Sequence, residues 1–223
     1  MRARYLERYR REIGWKDAPL VDQTGAAVPV DPSPESGDLE SLAREAASCT
    51  GCRLSEQRRT VVFGEGDPHA LLMFVGEGPG AEEDRTGRPF VGQAGMLLDA
   101  MIFSLGFERR QVYIANVVKC RPPGNRDPQD DEAAACAPYL DRQIAHIRPR
   151  VIVALGKPAA RRLTGSAAPI GALRGRWSSY LGIPVLPTFH PAYLLRSPLA
   201  KREVWQDLKV VRTRLEDPVS NSS

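Results

Sequence analysis

The four cysteines of this 223-residue chain have the spacing that points most directly to chemistry. Cys49 and Cys52 form a C-x2-C pair, Cys120 and Cys136 follow far downstream, and none is left over. Four thiolates are a complete ligand set for one zinc ion or one iron–sulfur cluster. The long intervals match neither a zinc ribbon nor a ferredoxin, so spacing alone leaves zinc and a [4Fe–4S] cluster open. Either centre would tie three distant segments together. Disulfides and unligated buried thiols are weaker readings for a C-x2-C pair with two partners in a reducing compartment.

A second cluster of reactive types is GEGPGAEEDRTGRPFVGQAG, residues 76–95. Its glycines invite a phosphate-loop reading. The P-loop lysine is absent, however, and Glu82, Glu83 and Asp84 would repel a nearby phosphate. Gly76, Gly78 and Gly80 run G-x-G-x-G, so the dinucleotide pattern G-x-G-x-x-G is unmatched as well.

These loops need elements to hold them, and the chain supplies an alternation. ALLMFVG (70–76), QVYIANVVKC (111–120), RVIVALG (150–156) and residues 184–189 read as buried strands. Between and after them lie helix-like segments: GQAGMLLDAMIFSLG, DPQDDEAAACAPYLDRQIAHI with Asp127 as its cap and Pro128 at its first position, residues 157–164, and residues 201–215. Strand–helix alternation predicts an α/β fold with a parallel sheet, its ligands at the carboxyl ends of the strands. GEGPG, NVVKC and TFHPAY each occupy such an end. Upstream, residues 1–20 read as a basic amphipathic helix extension and 21–38, rich in Pro, Gly, Ser and Asp, as a flexible linker. Residues 39–215 form the catalytic-size domain, and 216–223 a disordered tail.

The net charge of +4 is unevenly spread: residues 150–214 hold twelve Lys/Arg against two Asp/Glu. Nucleic acid is the expected partner of such a face. No stretch has the roughly 18–20 apolar residues that cross a bilayer, and no secretory signal opens the chain. A cytoplasmic, nucleoid-associated monomer with no membrane partner is expected.

Residues 76–95 closely resemble the first motif of the family 4 uracil-DNA glycosylases, GE-x-PG-x-EED-x-x-GRPFVG-x-AG. NVVKCRPPGNRDP (116–128) and TFHPAYLLR (188–196) resemble the second and third conserved segments, and the cysteine pattern matches too. The resemblance spans roughly residues 39–215. It implies a three-layer α/β/α sandwich around a four-stranded parallel sheet. It also implies a [4Fe–4S] cluster on Cys49, Cys52, Cys120 and Cys136, in preference to zinc. The implied activity is that of a monofunctional glycosylase: uracil is flipped out of double- or single-stranded DNA and its N-glycosidic bond hydrolysed, leaving an abasic site for base excision repair.

Carried over position by position, the resemblance gives each residue a role. Phe90 stacks on the flipped uracil, and Asn116 bonds its Watson–Crick edge. His190 donates to uracil O2 as negative charge builds on the leaving base; His69 and His146, in a loop and on a charged helix, suit solvated or capping roles. Glu77 and Glu83 orient water and offset oxocarbenium charge. Gly78, Pro79 and Gly80 present backbone to the base. Tyr193, Leu194, Leu195 and Arg196 form a wedge for the emptied stack, and Arg121 and Arg126, with Arg174, Arg176 and Lys201, are candidate phosphate contacts.

The related enzymes that trap uracil-DNA covalently use a histidine after the second strand. None lies between Cys120 and Cys136, so turnover is expected. A non-catalytic iron–sulfur DNA-binding accessory protein is the main alternative; the intact Glu77, Asn116 and His190 set disfavours it. A zinc-stabilised nucleotide hydrolase would need the missing phosphate-loop lysine or a His/Asp metal cluster.

Overall fold

The computed structural model describes residues 37–217. The expected basic helix over 1–20, nearly all of the linker and the end of the tail lie outside them. Helix α1, Gly37–Ala47, begins two residues inside the span read as linker and leads to Cys49.

The sheet has four parallel strands at its centre: β2 (Leu72–Gly76), β3 (Tyr113–Asn116), β4 (Val151–Leu155) and β6 (Ile183–Thr188). Short antiparallel strands flank them, β1 (Glu65–Gly66) on β3 and β5 (Ser178–Tyr180) on β6, so the order is β1-β3-β2-β4-β6-β5. These two edges carry no apolar run, which is why the sequence predicts only four strands.

Every residue of β2, β3 and β4 is buried, as in a sheet covered on both faces. Period-2 alternation sorts them. Leu72, Phe74, Val151 and Val153 pack on one face with α3 (Gln93–Ser104), α7 (Pro191–Arg196) and α8 (Lys201–Glu216). Met73, Val75, Ile152 and Ala154 pack on the other with α4 (Asp130–Ile147) and α5 (Lys157–Thr164). Helices α2 (Ala81–Thr86) and α6 (Ile170–Leu173) are short, of six and four residues.

Among the described residues no helix is long and apolar enough to cross a membrane.

One expected cap is corrected. Helix α4 starts at Asp130, with Gln129 and Glu132 closing a capping box, so Asp127 and Pro128 precede it in the loop. Glu132 wins because its side chain is buried at the helix start, where it also accepts Gln129 N–H at 2.8 Å. Asp127 is thereby left to another task.

Candidate active site

A cavity of about 420 Å³ opens at the carboxyl ends of the parallel strands. The connection from β2 runs to β3 on one side, and the chain then crosses back to β4 on the other, the arrangement that leaves a crevice in such sheets. Glu77 leaves β2, Asn116 ends β3, and His190 follows β6; all three line the cavity, with Gly78, Pro79, Gly80, Glu83 and Phe90.

Asn116 is 1% exposed, and its Oδ1 has no hydrogen-bond partner within the described protein. A buried acceptor left open is costly unless something else meets it. Its neighbour across the strand is Gly76, where a Cβ would stand 2.5 Å from Asn116 Oδ1 and 2.5 Å from the Phe90 ring. Only glycine lets these two groups meet.

Phe90 sits with φ +50°, an uncommon conformation for a bulky residue that costs on the order of 1–3 kcal/mol. Clamps on both sides hold it. Glu83 Oε1 accepts the backbone N–H groups of Val91 and Gly92 at 2.8 and 3.1 Å, while Arg109 donates to the carbonyls of Pro89 and Phe90. Arg109 is itself fixed by Glu65 and Asp99, both at 2.9 Å. Glu83 thus has a positioning task, expected from sequence only as a catalytic one.

His190 caps α7: its Nδ1 accepts the N–H of Ala192 at 3.1 Å. A neutral imidazole with Nδ1 accepting carries its proton on Nε2 and can donate there. Burial, aided by the nearby positive charge of Arg196 and opposed by Glu83, lowers its pKa to about 4, so the ring is neutral at physiological pH. It stacks on Phe90, centroids 5.5 Å apart at 30°. Gly156, at φ +87°, leaves the end of β4 clear for it, since a Cβ there would lie 3.0 Å from His190 Cβ.

Glu77 has its pKa raised to about 7, first by burial and then by the charge and hydrogen bond of Asp127. Asp127, read from sequence as a helix cap, therefore belongs to the cavity wall, as do Asn125 and Pro122. They lie within a segment already singled out, but its local cap pattern hid their through-space role.

The expected wedge divides. Tyr193 and Leu195 are 39% and 40% exposed, and Tyr193 and Arg196 line the cavity. Leu194 is fully buried in the core and is not part of any wedge: helical geometry turns it inward between two outward neighbours. Leu199, unremarked in the sequence, is 84% exposed in the turn Pro198–Ala200 that follows. Its signal in the sequence is an apolar residue directly behind a proline.

Of the candidate phosphate contacts, Arg174 is engaged internally by Asp207 and Glu203. Arg126 is bound by Glu132 at 2.8 and 2.6 Å, and Arg121 by Asn125 at 2.7 Å. His146, expected in a solvated or capping role, is only 8% exposed, while His69 is exposed on a loop.

Cys49, Cys52, Cys120 and Cys136 line a second, much smaller pocket with Arg58, Lys119 and Tyr139. Among the described residues no three such ligands converge tightly enough for one ion. Donors nevertheless surround the sulfurs: Gly51 N–H to Cys49 Sγ at 3.4 Å, Arg58 to Cys120 Sγ at 3.4 Å, and Lys119 N–H to Cys136 Sγ at 3.3 Å. Burial pushes the Cys136 thiol up to about 11, with Lys119 opposing it.

The family model of the uracil DNA glycosylase superfamily matches residues 63–209. A type-4 uracil-DNA glycosylase of Sulfurisphaera tokodaii is 48% identical over 185 residues, 78% of this chain and 83% of the relative. One from Thermotoga maritima is 48% identical over 179 residues, 78% of this chain and 93% of the relative. Another, from Saccharolobus solfataricus, is 43% identical over 187 residues, 80% of this chain and 87% of the relative. With that match and relatives this similar over most of their length, the chain belongs to the uracil-DNA glycosylase superfamily, in its type-4 branch.

Proposed function

We propose that this protein is a uracil-DNA glycosylase that takes uracil out of the DNA stack and hydrolyses its bond to deoxyribose. The unpartnered, buried Oδ1 of Asn116 carries this reading. Uracil offers N3–H to that acceptor and O4 to the amide N–H beside it. Cytosine presents an acceptor at N3, which would leave two acceptors facing each other at a cost of about 1–3 kcal/mol.

Phe90 gives the base a face to stack on, and flipping is required because the bond is shielded within the duplex. As the bond to C1′ breaks, the electron pair goes to uracil and positive charge develops on the sugar. His190, neutral and protonated on Nε2, donates to the uracil oxygen where charge accumulates. One such preorganised donor contributes on the order of 10²–10³ in rate. Glu77, in its carboxylate form, orients water toward C1′ and offsets the sugar's charge. Because the loop after β3 has no histidine, the enzyme turns over without a covalent adduct. Tyr193, Leu195 and Leu199 fill the gap left by the base, and Arg196, with Arg121, tracks the phosphates of single- or double-stranded DNA, while Arg126 is held by Glu132. The protein acts as a monomer.

The four cysteines suit a [4Fe–4S] cluster better than zinc. They line one pocket, and N–H donors reach the sulfurs of Cys49, Cys120 and Cys136, a setting that tunes such clusters. Bound there, the cluster would cross-link the segment after α1, the end of β3 and α4.

The test is incubation with labelled uracil-containing DNA followed by alkali, alongside Asn116→Ala. Strand breaks at uracil, reduced about 100-fold or more in the variant with DNA affinity retained, support the reading. Binding without breaks at any uracil would instead identify a DNA-binding accessory protein.

A further inference from the structure

Lys119 is 2% exposed, an unusual place for an ammonium group. Its Nζ turns back to the carbonyl of Asn116 at 2.9 Å and also donates to Gln143 Oε1 on α4; the Phe63 ring lies 5.9 Å away. All of these partners are neutral. Lys119 also lines the cysteine pocket. The backbone of Lys119 points the same way: its N–H donates to Cys136 Sγ at 3.3 Å, and its carbonyl accepts Val62 N–H at 2.8 Å. Gln143 is held in turn by Phe63 O at 2.9 Å and the Tyr113 hydroxyl at 3.2 Å.

One residue therefore touches both sites. Between Asn116 and Cys120 the chain leaves the base pocket and enters the cysteine pocket, and Lys119 fastens both ends.

We infer that Lys119 is a positioning residue that couples the cysteine pocket to Asn116, so that the integrity of the metal centre and the affinity for uracil depend on each other. This rests on the glycosylase reading above. Coupling between two sites is reciprocal. Loss of the centre then weakens uracil, and uracil bound beside Asn116 favours the loaded centre by the same free energy, which we expect to read out as slower loss.

The experiment uses the full-length holoprotein and Lys119→Met, which keeps the length and removes the charge and donors. Three readouts are taken: inhibition of excision by free uracil, affinity for uracil-free DNA, and the rate at which a chelator bleaches the visible absorption of the iron–sulfur centre with and without saturating uracil. In the variant, uracil inhibition weakens about tenfold or more while affinity for uracil-free DNA holds within about twofold. Uracil protects the centre in the wild type and ceases to do so in the variant. Unchanged uracil inhibition overturns the inference, as does absence of protection in the wild type or its persistence in the variant. Should Lys119→Met fail to fold, Gln143→Met removes the second Nζ acceptor together with the donors to Phe63 O and the Tyr113 hydroxyl while leaving the Lys119 charge in place; it must weaken uracil inhibition in the same direction, and no change overturns the coupling. A wild type that neither excises nor binds uracil would instead defeat the glycosylase reading itself.

Discussion

Glu77 and His190 set opposite ends of the same proton inventory. Excision is expected to rise with pH through about 7 as Glu77 ionises, with no further limb from His190 until about 4, and Glu77→Gln should abolish the upper limb in a single-turnover pH profile. Asp127→Asn should move that limb to lower pH while leaving some elevation, because burial remains the larger cause. Stability carries the same signature. Folded Glu77 keeps its proton up to about pH 7, whereas the unfolded carboxyl loses it near its ordinary value. The native state binds more protons in that window, so stability falls as pH rises through it. Glu77→Gln should remove this loss and stabilise the fold by about 1–2 kcal/mol at pH 8 relative to the wild type, read by denaturant unfolding. The types and positions of Glu77, Asn116 and His190 were legible because each follows a strand in a recognisable segment. Asp127 was not, since its partner lies fifty residues away in sequence and only the folded loop brings them together.

At the scale of elements, function rests on loops that helices and strands hold rigid. The Phe90 loop is clamped by Glu83 from one side and Arg109 from the other. Glu83→Ala should weaken uracil inhibition and cost about 1–3 kcal/mol of stability without moving the pH limb, since the two amides it satisfies lose their acceptor. The loop carrying Asp127 is pinned by Glu132, whose buried carboxylate accepts from Arg126 and Gln129 and meets Arg53, the neighbour of Cys52, at 3.5 Å. Helix α7 and the turn after it carry one buried and one exposed leucine. Leu194→Ala should destabilise by about 2–5 kcal/mol as a core truncation. Leu199→Ala should change stability by less than about 0.5 kcal/mol yet slow excision from duplex more than from single strands, measured with matched substrates. From sequence these two leucines look alike, because an apolar residue at a helix entry carries no mark of which way it faces. The four central strands were legible from continuous apolar runs; the edge strands were not, since Glu65–Gly66 and Ser178–Tyr180 are held by pairing alone.

Over the whole molecule, the sheet holds the chemistry and the cysteine segments brace its rim. The excess of basic residues in the last third, legible as a nucleic-acid signal, proves partly internal: Arg161, Arg162 and Arg174 pair with Asp130, Asp141 and Asp207. DNA affinity should still fall with salt, but with a log–log slope set by the few cations on the cavity rim, Arg196 foremost, and the Arg196→Ala slope should be shallower by about 1. The most direct test is single-turnover excision of uracil from labelled DNA by the wild type and by His190→Ala. Alkali-labile breaks at uracil are expected with the wild type, and a rate lower by about 100-fold or more with the variant. Equal rates would contradict the role of His190, and no breaks from the wild type would contradict the glycosylase itself.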